Sequence, residues 1–355
     1  MKRSTPLLAG FALAATLSPL SAQSPERFTL AGNRVAVYNL VGTITVGPGT
    51  GSDVTVEVTR QGADGRQLRV ETGPIGGSET LRVIFPNDEI SYGNQEWNGR
   101  AEMYVRDDGT FGGGWDRRDR ERGRRVYVSS RGDGLRAHAE LRILVPAGKK
   151  VGVFIGIGEL AASNVNGDIM LDASSGSITA DRMRGSLLVD TGSGNVEVSD
   201  VEGTELNIDT GSGDVRVTTA SSRNITIDTG SGNVTGTGIT GTDLSVDTGS
   251  GSIELNGVRA TSLNMDTGSG DVDVALLGDT DDIMVDTGSG NVTITVPRGF
   301  GSAVNLSTSS GEVDTDVEIQ VTRRGQEHLI GRIGDGQGRM TIETGSGNVT
   351  IRAAR

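Results

Sequence analysis

The sequence predicts an all-β fold, a single-stranded parallel β-solenoid (β-helix) with rungs of about 19 residues. Three observations carry this prediction. The string Asp-Thr-Gly-Ser-Gly begins at Asp190, Asp209, Asp228, Asp247, Asp266 and Asp286, with looser copies from Asp172, Ser307 and Glu343. Aliphatic residues alternate with polar ones on either side of each copy, as at Leu206 and Ile208 before one turn and Val215 and Val217 after it. That period of two means strands with one buried face. Glycine supplies 55 of 355 residues while Phe, Trp and Tyr make only 3%, a composition suited to tight corners. A unit this short cannot bury its own apolar face, so equivalent units must stack.

Residues 1–22 read as a secretory signal. Lys2 and Arg3 precede an apolar run over 7–17, and small residues lead to Ser21 and Ala22. The run is shorter than the roughly 20 residues that span a bilayer. No later segment is long and apolar enough to cross a membrane. The mature chain is therefore expected outside the cytoplasm, in the periplasm or at the cell surface.

Residues 23–146 read as an N-terminal β region with short strands over 54–59, 81–85 and 126–145. It holds a Gly-, Arg- and aromatic-bearing insertion at 87–125. Residues 147–355 read as the repeats, with rungs to 300, a loop over 322–338 and a last rung. That rung ends the stack at Arg355, leaving a strand edge open to end-to-end self-association.

The chain has a net charge of −13 and no cysteine. That excludes disulfides, thiolate zinc sites and a lipidated cysteine. His138 and His328 are the only histidines, too few for an imidazole metal centre. An acidic balance argues against coating nucleic acid, which takes Lys and Arg. Between residues 172 and 296 there are 20 Asp and Glu against 5 Arg, so the acidity resides in the repeats. Such charge reads first as a solvated face that keeps the stack soluble.

The repeated turn invites two chemical readings. Aspartic proteolysis needs two carboxylates sharing a proton across a cleft, and serial copies do not supply that. Calcium needs six to eight converging oxygens; Asp190, Asp209, Asp228, Asp247, Asp266 and Asp286 are the metal candidates. The simpler reading is an Asx-turn, the carboxylate accepting backbone N–H groups and the glycines taking positive φ. Asp271 with Asp273, and Asp279 with Asp281, mimic paired catalytic acids, but alternation on a strand makes them solvent-facing. No catalytic residue is assigned, and a β-helix enzyme acting on polysaccharide is the minor alternative.

The partner-binding candidates lie in the insertion: Trp97, Tyr104, Phe111, Trp115, Arg117, Arg118 and Arg120. Arg and aromatics are enriched at interface hot spots, though such loops are also often disordered linkers.

Residues 28–355 resemble the bacterial adhesin-like domain family of exported parallel β-solenoids. The resemblance rests on Tyr38-Asn39-Leu40-Val41-Gly42-Thr43-Ile44-Thr45-Val46, the Leu144-Val145-Pro146 step, the serial Gly-Ser-Gly-x-Val-x-Val rungs, and the closing Glu343-Thr344-Gly345-Ser346-Gly347-Asn348-Val349-Thr350-Ile351. It implies a non-enzymatic partner of a protein or glycan at the cell envelope or surface, and brings no catalytic residues. A calcium-stabilised extracellular or periplasmic scaffold is the alternative.

Overall fold

The computed structural model describes residues 24–93, 97–112 and 123–354. The signal-like segment 1–22 lies outside the described residues. The protein is all-β and solenoid-like. Among the described residues the one helical element is a 3-10 turn at Gly65–Gln67.

Equivalent strands lie beside one another in parallel. Asp190 pairs with Asp209, Asp209 with Asp228, Asp228 with Asp247, Asp247 with Asp266 and Asp266 with Asp286. Because side chains alternate across a strand, identical register keeps the equivalent aliphatic residues of successive layers on the same inner face. Leu206, Ile208, Val215, Val217, Ile225, Ile227 and Val234 are all at most 1% exposed. Full burial of such a side chain contributes about 1.5–3 kcal/mol, which offsets the cost of ordering the backbone once neighbouring layers close over it.

In six successive layers a left-handed residue turns the chain. Asn164, Arg182, Asp200, Thr219, Gly238 and Gly257 have φ of 57°, 52°, 49°, 57°, 67° and 75°. Each precedes an inward side chain such as Val165, Val201, Ile239 or Val258. The reversal breaks the period of two, so Val198 and Val201 both face the core despite their odd spacing.

The first layer is already in the N-terminal region. Arg34–Pro48 lies parallel to Lys149–Ser163, so the stack does not begin at residue 147. The outer side of Arg34–Pro48 is covered by Ser78–Ile84 and His138–Val145. Antiparallel strands Val54–Gln61, Glu26–Leu30 and Arg69–Ile75 complete this end. The chain lays one layer, leaves to build its cap, and returns on the inner side.

The other end is capped in a similar way, so the last repeat, Val349–Ala353, is not the outer edge of the stack that was expected; Arg355 itself lies outside the described residues. Gly338–Thr344 is inserted between Asp282–Thr287 and Ser302–Thr308, and Val349–Ala353 between Val292–Val296 and Val313–Thr315. The last segment of the sequence is therefore an inner layer. Ser302–Thr308 is covered by antiparallel His328–Ile333, and that by Ile319–Arg324. The outermost strand carries exposed Arg323 and Arg324, charges of the kind that blunt an edge.

The insertion is also more structured than a linker. Glu89–Ser91, Arg100–Val105 and Arg124–Ser129 form a separate three-stranded sheet. Met103, Val105, Val126 and Val128 bury its inner face.

Candidate functional site

The repeated turn is held by its threonine. Thr191, Thr210, Thr229, Thr248, Thr267 and Thr287 are at most 1% exposed. The Thr248 hydroxyl donates to the Gly232 carbonyl at 2.9 Å, and Thr267 to Gly251 at 2.8 Å. The hydroxyl oxygen also accepts within its own turn, from the Gly251 N–H to Thr248 at 3.0 Å and from Gly232 to Thr229 at 3.1 Å. The Asx-turn expectation is thereby corrected for four of the six turns. The carboxylates of Asp228, Asp247, Asp266 and Asp286 make no hydrogen bond among the described residues.

The role expected of the glycines is corrected too. Of those in the six identical turns, only Gly194 has positive φ, at 143°. The general reason is close approach: a Cβ on Gly213 would sit 2.2 Å from the Gly194 oxygen, and on Gly251 1.8 Å from the Gly232 oxygen.

The residue after each Gly-Ser-Gly forms a second ladder. Asn195 Oδ1 accepts the Asp214 N–H at 3.0 Å, Asp214 accepts from Asn233 at 2.9 Å, and Asn233 accepts from Ser252 at 3.0 Å. Asp271 accepts from Asn291 at 2.7 Å, and Asn291 from Asn348 at 3.0 Å. Asn, Asp and Ser share only an acceptor oxygen, and that is the signal that sequence reasoning missed. Asp271 is thus structural, and Asp279 likewise accepts the Gly301 N–H at 3.3 Å.

The six aspartates form a single outward file. Burial, then the neighbouring Asp209 and Asp247, push the Asp228 carboxyl above the usual carboxylate range. Burial and then Asp247 and Asp286 do the same for Asp266. The file places one carboxylate per layer. Among the described residues no three carboxylate or imidazole side chains converge as a metal-binding group.

The insertion sheet lies over the start of this file. Tyr38 stacks on Phe154 at 4.5 Å between ring centroids, and Phe111 meets Tyr38 edge-on at 5.7 Å. Burial, opposed by Arg106 and aided by Asp172 and Asp108, pushes the Tyr38 hydroxyl up to about 12. Phe111 is buried, so it serves packing and is not an exposed contact residue. Tyr104 accepts a 3.0 Å hydrogen bond from Arg125 and borders a small cavity reaching Asp172 and Asp190. Trp97 is half-buried, with its centroid 6.2 Å from that of Tyr92. It lines a cleft of about 280 Å³ against Glu159, Ser177 and Ser193. Trp115, Arg117, Arg118 and Arg120 lie outside the described residues. A second groove, of about 500 Å³, runs along Glu197, Asp214, Arg216, Thr235 and Glu254.

The sequence model of the Toastrack DUF4097 family matches residues 135–352, and the chain belongs to that family. No curated protein matches. Among solved structures, a Clostridium sporogenes protein provisionally named for cell adhesion is similar at 10% identity. The match covers 93% of this chain and 100% of that one, with a TM-score of 0.21. No helix among the described residues is long and apolar enough to cross a membrane.

Proposed function

We propose that this protein is an exported, non-enzymatic, adhesin-like binder of the cell envelope or cell surface. Its scaffold is read as a single-stranded parallel β-solenoid with rungs of about 19 residues. One observation carries the reading: outward polar residues recur in register, as in the file from Asp190 to Asp286. Such a wall offers an extended protein or glycan the same contact at successive layers. Repeated weak contacts combine into firm binding without any one deep pocket. The roles of Asp271 and Asp279 in backbone hydrogen bonding support a structural account of the acids rather than a catalytic one.

The signal-like order of residues 1–22 supports placement in the periplasm or outside the cell. End-to-end self-association of two copies uses the outer edge of Ile319–Arg324. Fractionation of native cells, with sedimentation of the purified chain alongside washed envelopes, tests the function. Recovery in the exported fractions and in the envelope pellet is expected. A cytoplasmic protein that stays in the supernatant contradicts the reading.

A further inference from the structure

The Trp97 cleft joins an indole to glycine backbone and several hydroxyls. Gly158, Gly176 and Gly194 lie in successive layers beneath it. At each, the place of a Cβ is taken by the carbonyl oxygen of the preceding layer's glycine, at 1.7, 1.8 and 2.2 Å. Those contacts run along the stack and set its close layer spacing, and the three glycines themselves present only backbone to the cleft. Gly99 backs the indole, with the place of its Cβ 3.5 Å from the ring. Around the cleft stand the Glu159 carboxylate and the hydroxyls of Ser175, Ser177 and Ser193, the first and last of these bonded at 3.2 Å.

We propose that this cleft binds a neutral hexose or N-acetylhexosamine unit of an extended glycan. The sugar's C–H face stacks on Trp97 while Glu159, Ser177 and Ser193 hydrogen-bond its hydroxyls. An apolar plate with a few placed polar groups is the usual form of a small-ligand site, and an aromatic face suits a ring that is apolar above and polar at its rim. Charge selects among sugars. With Glu159 in the cleft and 20 acids against 5 Arg over residues 172–296, uronic and sulfated units are repelled. The run of glycines continues from Gly194 to Gly213, so further units run along the stack. The proposal rests on the surface-binding reading and gives it a ligand class and a site.

Calorimetric titration of the full chain with cellohexaose and chitohexaose tests it, with hexagalacturonate as the charged comparison. At least one neutral probe is expected to bind, and hexagalacturonate more weakly. Trp97→Ala should weaken binding about tenfold or more, Trp97→Phe should recover part of it, and Glu159→Gln should weaken it several-fold. If Trp97→Ala does not fold, Glu159→Gln and Ser177→Val decide. Failure of both neutral probes at millimolar concentration overturns the proposal. Undiminished binding by the variants, or equal binding of the charged probe, does so too. Envelope sedimentation separates the two readings. Pelleting without probe binding sinks this site alone. Probe binding through Trp97 without pelleting sinks the surface reading alone.

Discussion

The Thr248 hydroxyl donates to the Gly232 carbonyl of the preceding layer at 2.9 Å while accepting the Gly251 N–H of its own turn at 3.0 Å. One buried oxygen thus ties two layers together and closes a turn. Replacing it removes both bonds and strands the Gly251 N–H and a Gly232 carbonyl lone pair. Thr248→Val is expected to cost about 1–3 kcal/mol, read as a lower melting temperature, while Thr248→Ser retains most of the stability. Equal melting of Thr248→Val and wild type would remove the threonine from this role.

The glycines act by letting layers approach. A Cβ on Gly213 would lie 2.2 Å from the Gly194 oxygen, whereas nothing lies within 4 Å of one on Gly47. Gly213→Ala must push two layers apart and should cost about 1–3 kcal/mol. Gly47→Ala should change stability by no more than about 0.5 kcal/mol. Denaturant unfolding of both variants checks the contrast, and equal losses would speak against it.

The aspartate file gives a pH dependence with a definite sign. Asp228 and Asp266 have carboxyls held above the usual range, by burial first and neighbouring aspartates second. Their folded state keeps protons to higher pH than the unfolded chain does. Ionising them therefore costs stability above the folded value, and that cost is relieved as pH falls through it. Asp282 runs the other way. Its hydrogen bonds from Arg339, both 3.0 Å, hold its carboxyl low, so its contribution is lost as pH falls through the folded value. Asp228→Asn with Asp266→Asn should raise the melting temperature at about pH 7 more than at about pH 3, below the ordinary Asp value of about 3.9. A larger gain at the acid end would reverse the assignment.

Much of the stack was legible because identical strings at a near-constant interval have few ways to align. What held the strings together was less so. Attention falls on Asp228 as the conspicuous turn residue, but the buried Thr229 beside it makes the bonds. The ladder from Asn195 to Asn348 was hidden because its residues change identity while keeping an acceptor. The inner place of Gly338–Thr344 was hidden because sequence order does not fix which strands become neighbours. A trace existed in the strings themselves: Glu343-Thr-Gly-Ser-Gly is closer to the regular turns than Ser307-Thr-Ser-Ser-Gly, as suits an inner layer against an outer one. In the candidate site, Trp97 was legible as an aromatic in an unusual segment. Glu159, Ser177 and Ser193 were not, since only the fold brings them beneath it.

In the threonine bonds and in the Asn and Asp ladder, protein groups supply both donor and acceptor. Chelation with EDTA is therefore expected to leave the melting temperature unchanged. A fall of several degrees that added calcium restores would make calcium part of the fold.

Layering with the last segment inside underlies the whole account, and paired cysteines test it directly because the chain has no native cysteine. Met284 lies beside Thr341, and Thr341 beside Asn305 on its far side. Under mild oxidation, Met284→Cys with Thr341→Cys should form an intramolecular disulfide in high yield, and Met284→Cys with Asn305→Cys should not. The opposite pattern would mean that layers stack in sequence order, and would contradict the architecture described above.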